Sequence, residues 1–216
     1  MSVRLAIREL LARAPVIPVL TITDAEAAVP LARALVAGGL PVPEVTLRSA
    51  AALSAIAAIR AEVPEAIVGA GTVIEAGQLG AALTAGSQFI VSPGFSAALC
   101  AEGARQGAAM LPGIATPTEL MAALAAGLET LKFFPAAQAG GVAMLRALAA
   151  PFPSVRFCPT GGIDLHAAPD YLRLPNVLAV GMSSLASPAA IAAGDYAAVT
   201  TLARQAAALR AVRAPG

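Results

Sequence analysis

Eight β-rich apolar runs alternate with helical patterns along this chain, and their starts recur every 21 to 26 residues. The runs are 15–22, 41–47, 66–72, 88–93, 109–114, 130–135, 155–159 and 177–180, and gaps such as 24–37, 51–63, 118–126 and 144–149 carry helical spacing. Strands that are apolar almost without interruption are buried on both faces, which requires a parallel sheet covered by helices. Eight such units predict a (β/α)8 barrel forming one domain over residues 1–216. A further segment, 3–14, places Val3, Leu5, Ile7, Leu10 and Leu11 at helical spacing and predicts an extra N-terminal helix. An open doubly wound sheet also satisfies the alternation. It typically has fewer strands and a Gly-rich nucleotide turn after the first, whereas the first run here ends Thr21-Ile22-Thr23-Asp24.

Composition narrows the partners. With 12% charged residues and a net charge of +1, the surface has little with which to hold a polyanion, so no nucleic-acid partner is expected. The mean hydropathy of +0.77 calls for an extensive core and raises a membrane reading. The long uncharged stretches, 76–101 and 174–194, are broken by Gly, Pro, Ser or Gln and read as strand, turn and helix rather than as spans. Arg4, Arg8 and Arg13 are interrupted by Glu9 with no apolar signal core, so a cytoplasmic protein with no membrane partner is expected. Cys100 and Cys158 have neither disulfide-framework nor zinc spacing, and no set of His, Cys, Asp and Glu has ligand spacing; no metal or cofactor is expected.

Barrel enzymes work at the C-terminal ends of their strands, so polar residues there carry the chemistry. Lys132, the single lysine beside thirteen arginines, lies inside the apolar run Leu131-Lys132-Phe133-Phe134-Pro135. In water only about one lysine in 10³ is a free amine at neutral pH; burial raises that fraction and yields a nucleophile for Schiff-base chemistry. A strand-end lysine snorkelling to solvent satisfies the same residues. Glu44 is the one acid inside a predicted strand, and alternation sets Glu44, Thr46 and Arg48 on one face, with Arg48 about 13 Å towards the rim. That stacks an acid/base and a carboxylate-binding cation on one strand; a core ion pair of Glu44 with Lys132 is the plainer reading. Thr160-Gly161-Gly162-Ile163 and Gly181-Met182-Ser183-Ser184 end the seventh and eighth runs, where barrels often bind phosphate on turn amides backed by a helix N-terminus. Tight turns are the plainer reading of either one alone, and their occurrence at two successive strands favours phosphate. The one histidine, His166, falls in the helical stretch after the seventh run, in a surface or capping role. Cys158 alternates with Thr160 towards the interior but lacks a histidine to activate it.

In order along the chain stand Glu44-Val45-Thr46-Leu47-Arg48, Gly69-Ala70-Gly71-Thr72, Ser92-Pro93-Gly94, Leu111-Pro112-Gly113, Lys132-Phe133-Phe134-Pro135-Ala136 and Phe157-Cys158-Pro159-Thr160-Gly161-Gly162. With these motifs, over about residues 16–203, the chain closely resembles the 2-keto-3-deoxy-6-phosphogluconate (KDPG) aldolases, a family that includes bifunctional 4-hydroxy-2-oxoglutarate (KHG) aldolases. The resemblance implies a class I aldolase on a (β/α)8 barrel, usually a homotrimer, acting on a phosphorylated keto acid in the Entner-Doudoroff pathway. It implies Lys132 as the Schiff-base lysine and Glu44 as the general acid/base. It further implies Arg48, Thr72 and Thr160 around the pyruvate-derived carboxylate and hydroxyls, Pro93 and Phe134 shaping the pocket, and Gly161, Gly162, Gly181 and Ser183 at the phosphate. Ala137, where an acid is usual, and Met182-Ser183-Ser184 depart from the family pattern. A galactonate-type aldolase, a phosphosugar isomerase barrel and a non-catalytic oligomeric scaffold are the competing readings.

Overall fold

Strand and helix alternate through residues 6–214, the part of the chain that the structure, a computed structural model, describes. In chain order the elements are α1 (Ile7–Ala12), β1 (Val16–Leu20), α2 (Ala28–Ala37), β2 (Glu44–Thr46), α3 (Ala52–Glu62), β3 (Gly69–Gly71), α4 (Ala76–Thr84), β4 (Ile90–Val91) and α5 (Ala97–Arg105). They continue with β5 (Met110–Leu111), β6 (Gly113–Ile114), α6 (Pro117–Ala125), β7 (Thr130–Phe133), α7 (Gly141–Ala149), β8 (Arg156–Pro159), α8 (Ala168–Leu172), β9 (Val180–Met182), α9 (Pro188–Ala192) and α10 (Tyr196–Ala208). Short 3-10 turns, Ala25–Ala27 and Leu209–Val212, precede α2 and follow α10.

Every strand pairing among the described residues is parallel. One sheet runs β5-β4-β3-β2-β1-β9 and the other β6-β7-β8. The fifth apolar run is split between them at Pro112, which has no N–H to give to a ladder, although its carbonyl still accepts from the Lys132 amide at 2.9 Å. At the other margin Thr160 bridges to Gly181 in parallel. The sheet is therefore curled, with helices outside.

Alternation sorts the strand residues into two cores. Val16, Leu20, Val45, Ala70, Ile90, Met110, Leu131, Phe133, Phe157 and Val180 pack with the helices in the larger cluster. Ile17, Val42, Phe89, Val91, Leu111, Cys158 and Ala179 form a second cluster on the concave side, joined by Leu10 and Leu11 of α1. Several of these residues sit just before a strand begins, so α1 plugs the N-terminal end of the sheet. Phe89 is fully buried there, and Phe89→Ala is expected to cost about 3–5 kcal/mol through lost transfer energy and the cavity left behind.

Some boundaries move. The helix expected over 24–37 starts as a 3-10 turn because the Asp24 carboxylate accepts from the Glu26 amide. Of the segment 3–14, helix α1 covers Ile7–Ala12, and Val3 and Leu5 lie outside the described residues. The eighth run begins with a bridge from Phe157 to Val177, but the strand proper is Val180–Met182. His166 stands in an exposed turn ahead of α8 rather than in a helix, because Asp164 Oδ1 accepts from both the His166 and the Ala167 amides and starts the chain turning there.

Candidate active site

Lys132 enters from β7 and Glu44 from β2, and Lys132 Nζ donates to Glu44 Oε1 at 3.3 Å. Their side chains are 7% and 3% exposed, so the contact is a buried ion pair on the concave side, and the snorkelling reading of Lys132 fails. Glu44 is in register with Gly69, yet its carboxylate leans along the strand direction towards Gly71. A Cβ built on Gly71 would lie 2.1 Å from Glu44 Oε1. The Phe134 ring centroid is 5.3 Å from Lys132 Nζ, a distance at which the face of the ring attracts the ammonium.

Cys158 is paired with Lys132 across the β7–β8 ladder. Burial pushes its thiol up to about 12; Glu44 adds to the rise, while Lys132 and a hydrogen bond with Thr160 oppose it. It is a neutral filler beneath the ion pair and no nucleophile. Thr160, also buried, stands one turn of alternation above it, and a Cβ on Gly181 would lie 2.2 Å from its Oγ1. Thr46, two residues after Glu44, donates to the Leu20 carbonyl at 2.8 Å and meets Thr21 Oγ1 at 3.0 Å.

Arg48 does not continue the face of Glu44 by alternation. Strand β2 ends at Thr46, and the Arg48 amide turns back to the Thr46 carbonyl at 2.8 Å. The exposed Arg48 instead reaches the site through its Nε, which donates to Thr72 Oγ1 at 3.1 Å. Thr72 has φ of +59°, a left-handed conformation that a β-branched residue adopts only under constraint. Pro93 belongs to the same rim: its carbonyl lies 2.1 Å from where a Cβ on Gly113 would be, so only glycine fits beneath it.

The two glycine turns are brought side by side by the Thr160–Gly181 bridge. Gly161 and Gly162 have φ of +102° and +70°, which glycine alone adopts freely. Gly181 is buried and Ser183 exposed. The expectation of helix N-termini directly behind these turns is corrected. Helix α8 starts only at Ala168, after a turn in which Asp164 Oδ1 accepts from the Ala167 amide, and α9 starts at Pro188 with Ser187 accepting from the Ala190 amide. Any anion there relies on the turn amides and Ser183. Sequence reasoning passed over Gln138, whose carboxamide atoms lie 3.7 and 3.9 Å from a Cβ placed on Gly162. No periodic signal marks it, because it sits in the loop after Phe134-Pro135. Among the described residues no three His, Cys, Asp or Glu side chains converge as a metal site.

A carboxylate touching a buried primary amine, under an aromatic face and beside a threonine-arginine rim, is suited to condensing with a ketone and moving protons at the adduct. Comparison with known proteins points the same way. The family model for KDPG and KHG aldolase matches residues 7–202. The chain is 50% identical over 197 residues to the KHG/KDPG aldolase of Escherichia coli strain K12, covering 91% of this chain and 92% of that protein. The crystal structure of the KDPG aldolase of Zymomonas mobilis ATCC 29191 superposes with a TM-score of 0.89 at 48% identity, covering 94% of this chain and 97% of that one. The Legionella pneumophila KDPG aldolase, solved with pyruvate captured as a covalent carbinolamine intermediate, superposes with a TM-score of 0.90 at 42% identity, covering 93% and 97%.

Proposed function

Because the chain belongs to the KDPG and KHG aldolase family, we propose that it is a class I aldolase in which Lys132 forms the Schiff base and Glu44 moves the protons. It cleaves KDPG to pyruvate and glyceraldehyde 3-phosphate, and KHG to pyruvate and glyoxylate. The observation that carries this is the buried contact between the chain's single lysine and a carboxylate at 3.3 Å.

Glu44 is placed to take the ammonium proton of Lys132, and the freed amine adds to the C2 ketone. Glu44 then returns a proton to the carbinolamine oxygen, which leaves as water, and the iminium so formed is the electron sink. Glu44, again a carboxylate, takes the C4 hydroxyl proton and that oxygen becomes a carbonyl; the C3–C4 bonding pair flows into the iminium and the aldehyde departs. The remaining enamine takes a proton at C3, and water hydrolyses the iminium to pyruvate and free Lys132. Such proton transfers contribute roughly 10²–10⁴-fold in rate. Arg48 and Thr72 hold the pyruvate-derived carboxylate, Thr160 a substrate hydroxyl, and Pro93 and Phe134 wall the pocket. Gly161, Gly162, Gly181 and Ser183 receive the phosphate on backbone amides and a hydroxyl.

The scaffold we infer is a single (β/α)8 barrel with an added N-terminal helix. The all-parallel pairing within both sheets, the continuation of β5 into β6 across Pro112 and the Thr160–Gly181 bridge support closure. A homotrimer in the cytoplasm completes the proposal, supported by the family resemblance. A phosphosugar isomerase reading would share the glycine turns and leave Lys132 against Glu44 without a task. Pyruvate release from KDPG and from KHG, followed by a coupled lactate dehydrogenase assay, tests the function: release from neither substrate by folded protein would reject it.

A further inference from the structure

Strand β3 reads Gly-Ala-Gly, a sequence poorly suited to a strand, since each glycine forgoes packing and loses the most chain entropy on folding. Neither glycine has a positive φ, so the backbone does not require them. Their hydrogens point to the concave side while Ala70 packs outward in the helix-facing core. At Gly69 the vacant side-chain volume is filled by the Phe89 ring, 2.3 Å from a Cβ placed there. At Gly71 it is filled by Glu44 itself: that Cβ would lie 2.1 Å from Oε1 and 2.7 Å from both Cδ and Cγ.

We propose that Gly71 is a positioning residue for the reaction, its missing side chain being the space through which the Glu44 carboxylate reaches Lys132. The inference rests on Glu44 being the acid/base. An alanine at 71 meets the far end of a flexible side chain rather than backbone, so the fold can survive while the carboxylate swings off Nζ. Glu44 is only 2% exposed, so a displaced carboxylate has to move among packed side chains. Gly71 thus acts on the reaction through Glu44, whose atoms are the three nearest to a Cβ placed there.

The test is a double-mutant cycle on the full chain with KDPG. Gly71→Ala lowers kcat by about 10²-fold, within the range for losing a positioned acid/base, with KM changed less than about twofold and pyruvate still trapped on Lys132 by borohydride at end point. Added to Glu44→Gln, Gly71→Ala changes kcat by less than about twofold, because the group it displaces no longer works. Full kcat in Gly71→Ala, or the same fractional loss in both backgrounds, overturns the proposal. Unimpaired turnover by Glu44→Gln would instead sink the acid/base assignment beneath it. Should Gly71→Ala fail to fold, it must cost no further stability in a Glu44→Ala/Lys132→Met background, where the truncated Glu44 vacates the volume the methyl needs and no unpaired charge is left buried; a clear further loss there also overturns the proposal.

Discussion

Lys132 Nζ and Glu44 Oε1 stand 3.3 Å apart although 88 residues separate them in the chain, and both side chains are more than nine-tenths buried. An ion pair so placed is held by its partner more than by its own net worth. Lys132→Met alone leaves a buried carboxylate uncompensated and is expected to destabilise the fold by about 3–5 kcal/mol, whereas Glu44→Leu/Lys132→Met together restores most of the loss. Urea unfolding of the three proteins checks it; a double variant no more stable than the single one would show that the pair is not the reason.

Arg48 and Thr72 give a prediction in which stability and binding part company. Thr72→Gly relieves a positive φ, a gain of about 1 kcal/mol, but removes the oxygen that orients Arg48. The variant is expected to melt no lower than the parent while its KM for KDPG rises. Thr72→Val keeps the strained backbone and loses the oxygen, so it combines a raised KM with a lower Tm. A Thr72→Gly protein with unchanged KM would remove Arg48 and Thr72 from substrate binding.

Ser183→Ala and Gly162→Leu separate the two substrates. The first removes a donor, and the second places a Cβ 2.6 Å from that of Ala137 at a position of φ +70°. Each raises KM for KDPG more than for KHG; for Ser183→Ala the difference is about 1.5–3 kcal/mol, typical of a charge-assisted hydrogen bond. Equal effects on the two substrates would mean that the glycine turns hold no phosphate.

Cys158 gives a prediction about pH. Its thiol titrates near 12 in the fold against 9.0 for the free group. The unfolded chain therefore releases this proton first as pH rises. The contribution is fully present below about pH 9 and is lost between 9 and 12. Stability is expected to fall more gently over that window in Cys158→Ala, and iodoacetamide at pH 8 is expected to leave Cys158 unlabelled in the folded enzyme. Rapid labelling would show the thiolate to be accessible.

Much of this architecture is written into residue type. Burial on both faces makes the runs almost wholly apolar, which is why their eightfold alternation is visible without coordinates, and why the single charged residues Glu44, Lys132 and Arg156 in three of them stand out. What alternation cannot supply is where a strand stops. Arg48 falls beyond β2 because its amide folds back on Thr46, and its Nε donates to Thr72, just past the end of the neighbouring strand. The helix N-termini expected behind the glycine turns are displaced by side-chain capping at Asp164 and Ser187, a competition between local donors that spacing does not reveal. The room that Gly71 gives Glu44 is invisible from sequence for a different reason: it depends on the lean of one side chain across two strands.

Lys132 is the proposed nucleophile, and the chain's composition makes one measurement decisive. Protein incubated with pyruvate and borohydride, then digested and mapped by mass spectrometry, is predicted to carry one reduced pyruvate adduct, on the peptide containing Lys132. Lys132→Arg, which keeps the charge but stays protonated, is predicted to show no adduct and no turnover while remaining folded. With a single lysine, the only other primary amine in the chain is the N-terminus; an adduct located there, or turnover retained by Lys132→Arg, would contradict the mechanism.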